Sequence, residues 1–206
     1  MLAELNIKDF LSRTASNSPV PGGGSMAALN AAIAASLSEM VANLTIGKKG
    51  YESSEEDMRA IAKEASEYRE KLVKDIDRDS DAYNEVMAAF KLPKHSEEEK
   101  NSRNQAIQKG LKTATLVPLD IAKDAFKIME LAGKVVKKGN KNAMTDGAVG
   151  AMAARTAVLS ALYNIKTNLG SIQDIEFVDK ITEQVRHLES DIGKKEKEIL
   201  STVILP

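Results

Sequence analysis

Residues 25–46 read Ser25-Met-Ala-Ala-Leu-Asn30-Ala-Ala-Ile-Ala-Ala35-Ser-Leu-Ser-Glu-Met40-Val-Ala-Asn43-Leu-Thr-Ile46, a run of almost nothing but small and aliphatic residues. Ala27, Ala28, Ala31, Ala32, Ala34, Ala35 and Ala42 fall on more than one side of a helix, so this helix must be packed closely on several sides. Asp146–Asn164 repeats the pattern with Ala148, Ala151, Ala153, Ala154, Ala157 and Ala161. Small side chains let helix axes approach, which suits the centre of a bundle or a seam between subunits. A homodimer is the expectation.

Outward from these two helices, apolar residues recur at helical spacing almost throughout, and no stretch alternates like a strand, so the fold class is all-α with about six helices. Ile7, Phe10 and Leu11 mark a short first helix, ending before the loop 16–25. The second runs from Ser25 to about Ile46 and stops at Gly47 and Gly50. Ser53 and Glu56 have capping-box spacing and open the third, which continues towards Phe90 before Pro93. Ser96 and Glu99 repeat that signal for the fourth, which runs to about Ala132 before Gly133 and bends near Pro118. The fifth starts near Thr145-Asp146, after the loop 138–142, and the sixth spans roughly Glu176 to Leu200. There is no internal repeat or linker, so residues 1–206 form one helical domain.

The second helix is entered through Pro19-Val-Pro21-Gly22-Gly23-Gly24-Ser25. Glycines allow close approach of the backbone, and the first N–H groups of a helix lack internal partners and favour negative charge. Gly22, Gly23, Gly24 and Ser25 are therefore candidates for contact with an anionic or carbonyl-bearing ligand; the plainer alternative is a rigid entry with Ser25 as an N-cap. The triplet lacks the Lys-Ser/Thr ending of a P-loop and a preceding strand, which argues against a nucleotide site.

Composition narrows the function classes. A 43% hydrophobic share over 206 residues builds a continuous core. A net charge of −1, with both signs mixed, offers no basic patch for nucleic acid, and 4% aromatic residues without Trp argue against base-stacking platforms. There is no cysteine, hence no thiol nucleophile or thiolate metal site, and His95 and His187 are isolated, so no metal is expected. No long apolar run or basic-then-apolar leader stands out, so the expectation is a cytoplasmic protein without a membrane partner.

Polar residues fall where a core is expected. Leu72, Ile76, Tyr83, Val86, Met87 and Phe90 define one face of the third helix, and Asp79 lies about 60° from Ile76 and about 40° from Tyr83 on it. Asp77 and Asp81 point to its margins or to solvent. A carboxylate among such neighbours is paired, protonated or used; Asp79 is either a structural acceptor or a site residue. In the fifth helix Asp146, Ser160, Asn164 and Asn168 recur near one azimuth. Asp146 suits the positive end of the helix dipole equally well. Asn164 and Asn168 are poor interior helix formers with several bonds to satisfy. Ser25, Ser36 and Asn43 form a fainter line, Ser36 being explained by a bond to a carbonyl four residues back. The loop lysines Lys48, Lys49, Lys138 and Lys141 suit an acidic tail on a ligand, or are simply solvated.

These residues taken together, Pro21 to Ser25, Asp77-Arg-Asp79-Ser-Asp-Ala-Tyr83, Gly139-Asn140 through Asp146, and Asn164 with Asn168, resemble the formiminotetrahydrofolate cyclodeaminase family, which includes the serine-cycle type of methenyltetrahydrofolate cyclohydrolase. The resemblance covers about Phe10 to Leu200. It implies an all-helical homodimer acting on a reduced folate, with no cofactor beyond that substrate and no formiminotransferase domain in this chain. It further implies an ammonia-lyase of one-carbon metabolism: N10 of 5-formiminotetrahydrofolate attacks the formimino carbon, and ammonia leaves to give 5,10-methenyltetrahydrofolate. In that chemistry Asp79, and second Asp146, would move the proton. Gly22, Gly23, Gly24, Ser25, Asn43, Asn140, Asn164 and Asn168 would hold the substrate, and Lys48 its glutamate tail. The alternative within the family is the cyclohydrolase, in which water opens the methenyl bridge. An alternative of another class is a non-catalytic assembly module, which explains the alanines but not Asp79, Asn164 and Asn168.

Overall fold

The structure, a computed structural model, describes residues 1–204; these contain six α-helices and no strands. α1 is Ile7–Thr14, α2 Gly23–Asn43, α3 Glu55–Phe90, α4 Glu97–Lys138, α5 Met144–Leu169 and α6 Ile175–Leu200. α2 packs against α3, α4 and α5, α4 packs against α3 and α5, and α6 lies on the outer side of α5 and α4. The alanines make this possible. Ala27, Ala28, Ala31, Ala34 and Ala35 of α2 and Ala151, Ala154, Ala157 and Ala161 of α5 are fully buried, so the two helices cross with little more than methyl groups between them. A Cβ on Gly150 would touch the Ala34 carbonyl oxygen at 3.4 Å.

Boundaries follow from where polar backbone groups find partners. Ser96 caps α4 as its spacing predicts: its hydroxyl accepts from the Glu99 N–H at 3.1 Å, and Glu99 accepts from the Ser96 N–H at 3.2 Å. The corresponding box at Ser53 and Glu56 does not form. A 3-10 turn, Glu52–Ser54, precedes α3, and Glu55 instead accepts from the Gly47 N–H at 2.7 Å across the α2–α3 turn, where Gly47 and Gly50 take positive φ. Ser25 is likewise not an N-cap, because the helix begins two residues earlier, at Gly23, with Gly22 as its N-cap.

α4 does not end at Gly133. A Cβ there would lie 3.1 Å from the Ile199 side chain, so this glycine lets α6 lie close rather than stopping the helix, which runs on to Lys138. α4 also passes through the buried Pro118 as one helix. Its contact with α3 carries an ion network: Arg78 bonds Asp75 at 3.3 Å and Asp120 at 2.9 Å, while Lys71 bonds Asp75 at 3.4 Å and pairs with Asp124. Burial pushes the Asp124 carboxyl above the ordinary range, against the pull of Lys71.

Two helices are long and apolar enough by length and composition to cross a membrane, α2 and the segment that contains α5, yet 56% and 50% of their apolar windows are buried inside this chain. Outside those buried parts, Ile33 and Met40 of α2 and Val149 and Met152 of α5 are exposed apolar side chains, the last two 51% and 45% exposed.

Candidate active site

Where the N-terminus of α2 meets α3, α4 and the C-terminal half of α5, a cavity of about 310 Å³ opens. Gly22, Gly23 and Gly24, Asp79 and Tyr83, Ala114, and Asn164 and Asn168 all line it. Four helices thus bring the glycine triplet, one aspartate and two asparagines, far apart in sequence, to one place.

Asp79 is seated on the first turn of α2. The Ser25 hydroxyl lies 3.0 Å from its Oδ2, and 3.1 Å from both the Ile76 carbonyl and the Ser80 hydroxyl. No side chain fits at position 24, because a Cβ there would overlap the Asp79 carboxyl. Burial raises the Asp79 pKa, and the Ser25 hydroxyl and N–H pull it back only in part. The group is therefore half-buried, held at a fixed place on positive partial charges, and open to the cavity on its other side.

The two asparagines are each fixed through one atom. Asn164 Nδ2 donates to the Ser160 carbonyl of its own helix at 2.9 Å. Asn168 Nδ2 donates to the Ala114 carbonyl of α4 at 2.7 Å. That carbonyl is free because Pro118, four residues on, has no N–H to donate to it. Each Nδ2 keeps a second N–H, and the amide oxygens have no protein partner among the described residues. The cavity thus offers one carboxylate and two amide oxygens as acceptors beside those amide donors. The acceptors suit a ligand that carries N–H donors or positive charge.

Other residues singled out in the sequence lie elsewhere in this chain. Asn43 is exposed and Lys48 half-exposed, both at the C-terminal end of α2, and Asp146 opens α5 beside them. Eighteen helical residues, about 27 Å of axis, separate Asp146 from Asn164. Asn140 is used up structurally. Its N–H donates to the Thr45 hydroxyl at 2.8 Å, its Nδ2 to the Leu44 carbonyl at 3.2 Å, and its Oδ1 accepts from the Asn142 N–H at 3.1 Å, so it joins the α4–α5 loop to the end of α2. Ser36 bonds the Ala32 carbonyl at 2.8 Å, the ordinary back-bond. Asp77 lies part-buried at the margin of its face: it accepts from the N–H groups of Leu2 and Ala3 and ties the N-terminal turn to α3.

Sequence reasoning missed two kinds of residue. Asp75, the most buried carboxylate described, sits one turn before Asp79 on the same side of α3, but the cations that neutralise it were not paired with it by spacing. Tyr83, Met87 and Phe90 read as core and are instead the half-exposed apolar wall of the cavity. Periodicity cannot tell a face that meets another helix from one that meets a ligand.

Known proteins resemble this chain in sequence and fold. A family model described as formiminotransferase-cyclodeaminase matches residues 6–187. A methenyltetrahydrofolate cyclohydrolase from Methylorubrum extorquens is 36% identical over 203 residues, 98% of either chain. The formimidoyltransferase-cyclodeaminase of Rattus norvegicus is 30% identical over 187 residues, 91% of this chain but 35% of that protein, of whose length this chain spans about a third. The crystal structure of formiminotetrahydrofolate cyclodeaminase from Thermotoga maritima matches with a TM-score of 0.88 at 30% identity, over 98% of both chains.

Proposed function

Because the chain belongs to the formiminotransferase-cyclodeaminase family, whose members process folates, we propose that its cavity hydrolyses 5,10-methenyltetrahydrofolate to 10-formyltetrahydrofolate. The observation that carries the reading is Asp79, a carboxyl raised in pKa yet fixed on a helix N-terminus, facing a cavity that also presents the amide groups of Asn164 and Asn168. The methenyl bridge carries a delocalised positive charge and a tetrahydropterin edge carries N–H donors, and both suit the carboxylate and amide oxygens of this cavity. Water attacks the bridge carbon while the Asp79 carboxylate takes its proton. Asp79 then returns a proton to N5 as the carbon–N5 bond breaks, and the hydroxyl proton leaves as the formyl carbonyl forms.

The reading shifts the order expected from the sequence, which put the cyclodeaminase first. Support for the hydrolase is the relative at 36% identity and nearly equal length. The cyclodeaminase stays as the second reading, favoured by the Thermotoga maritima structure that matches along almost the whole chain. It needs the same groups: Asp79 accepts the N10 proton on ring closure and supplies one to the departing ammonia. Purified protein given each substrate separately decides between them. Loss of the methenyl absorbance above the spontaneous rate supports the hydrolase, and methenyl formation with ammonia release supports the cyclodeaminase. Neither signal above the protein-free control returns the chain to the assembly-module reading.

The proposal includes a homodimer formed through the exposed apolar residues of α2 and α5 described above. A two-fold axis perpendicular to α2 would set the C-terminal end of one copy's α2, with Asn43, Lys48 and Asp146, beside the other copy's cavity. That is the arrangement in which those residues can serve the substrate.

A further inference from the structure

The cavity is a groove with two unlike ends. Asp79, Tyr83, Val86, Met87 and Phe90 all line it. At spacings of four, three, one and three residues they form a single stripe of α3, which runs about 16 Å from the carboxyl to the last turn of the helix. Tyr83 and Met87 are 37% exposed and Phe90 45%, so the stripe offers an apolar wall to a flat ring. Glycine backbone, Asp79 and Asn164 make the polar end.

Beyond the lining itself, against its last ring Phe90, stands Arg103 of α4. Its Nε and Nη2 donate to the Phe90 carbonyl at 3.3 and 3.0 Å, and the guanidinium lies 5.7 Å from the centre of the Phe90 ring. The Phe90 carbonyl is one of the last of α3, which has no helical partner, so the contact both caps the helix and fixes the fork. Among the described residues these are the hydrogen bonds of Arg103, and it makes no ion pair. Nη1 therefore remains for a ligand. A cation held over the last ring of an apolar groove that begins at a proton-transferring carboxyl defines an elongated substrate, reactive at one end and anionic at the other.

We propose that Arg103 binds a carboxylate of the substrate's glutamyl tail, with the p-aminobenzoyl ring laid along Tyr83, Met87 and Phe90. This rests on the folate reading above and assigns the orientation of the substrate in the groove. The tail role given to Lys48 in the sequence falls to Arg103 for the cavity of the same chain, since Lys48 and Lys49 flank a different surface depression with Glu52 and Glu55.

The test compares 5,10-methenyltetrahydrofolate with 5,10-methenyltetrahydropteroate, which has the same reacting centre and no glutamate. The unsubstituted protein should show a KM roughly tenfold lower for the glutamyl substrate, the scale of one partly exposed charge-assisted bond. Arg103→Ala should erase that preference through KM rather than kcat, and Arg103→Lys should restore part of it, as a point charge without the fork. The inference is overturned if Arg103→Ala keeps the tail preference. It is also overturned if KM rises equally for both substrates, which is the signature of a helix cap alone. Turnover of neither substrate by the unsubstituted protein, with no ammonia from the formimino substrate, overturns the folate reading itself, a result distinct from both.

Discussion

Gly24 and Asp79 share one space: the hydrogen of the glycine leaves the place that the carboxyl occupies, and any Cβ would overlap it. Gly24→Ala therefore acts on Asp79 at a distance of fifty-five residues in sequence. The carboxyl must shift from the α2 N-terminus, and displacements of about 1 Å cost about 10²-fold in rate. We expect kcat to fall by about that factor while far-ultraviolet circular dichroism keeps its helical signature. Full activity of Gly24→Ala would show that the seat of Asp79 is not what matters.

Asp79→Asn separates chemistry from stability. Turnover should fall by about 10²–10⁴-fold, the range for a lost general acid–base group, with reduced folate still bound. The same substitution should raise the melting temperature at pH 7. The sign follows from the raised pKa: burial favours the neutral carboxyl, so the stability of the unsubstituted protein declines as pH rises through the folded-state pKa, whereas an amide has no such loss. The advantage of the variant should shrink as pH falls from the folded-state pKa towards 3.8 and be gone below it, where the aspartate is neutral in both states. Thermal melts across pH 3–8 read this directly, and the acid limb of the kcat/KM profile should sit above the usual carboxylate range.

Pro118 and Asn168 are coupled through the Ala114 carbonyl. Asn168→Ala should destabilise the fold by about 1 kcal/mol by leaving that partly buried acceptor without its protein partner. In a Pro118→Ala background the new N–H bonds the carbonyl, and the cost of Asn168→Ala should shrink by about 0.5–1 kcal/mol. A double-mutant cycle by urea denaturation measures the difference. Strict additivity would mean that Asn168 contributes nothing through this bond.

The proposed dimer places a cavity against the partner's Asp146. Met152→Glu, which puts a charge among those exposed apolar residues of α2 and α5, should shift sedimentation from dimer to monomer. Asp79→Asn and Asp146→Asn homodimers should each be nearly inactive, and mixing them should recover about a quarter of full activity, from the one intact site in each mixed dimer. No recovery on subunit exchange would place each site wholly within one chain.

The sequence disclosed the helices and the Asp79 face for a shared reason: both follow from a 3.6-residue period that local chemistry controls. It disclosed less where a residue answers to a distant partner. Gly133 reads as a stop and is a contact surface for Ile199. Ser53 has capping-box spacing, yet Glu55 turns to Gly47 instead. Arg103 carries no local signal at all, because its role depends on the α3–α4 hairpin folding back by thirteen residues. The expected grouping of Asn43, Lys48 and Asn140 with Asn164 failed within one chain because a shared helix face does not imply a shared end. About six helical turns separate the two ends of α2.

The alanines of α2 and α5 have a consequence beyond close approach. An alanine buries little apolar area, but it has no rotamers to lose on folding, so a core built from methyl groups gives up attraction and ordering cost together. What remains has few alternative packings to explore. The glycine turn and the two asparagines stand on those helices, and their positions are settled before any ligand arrives. Binding then has little left to order, and a small cavity in a chain of this size can hold a reactive group where the chemistry needs it.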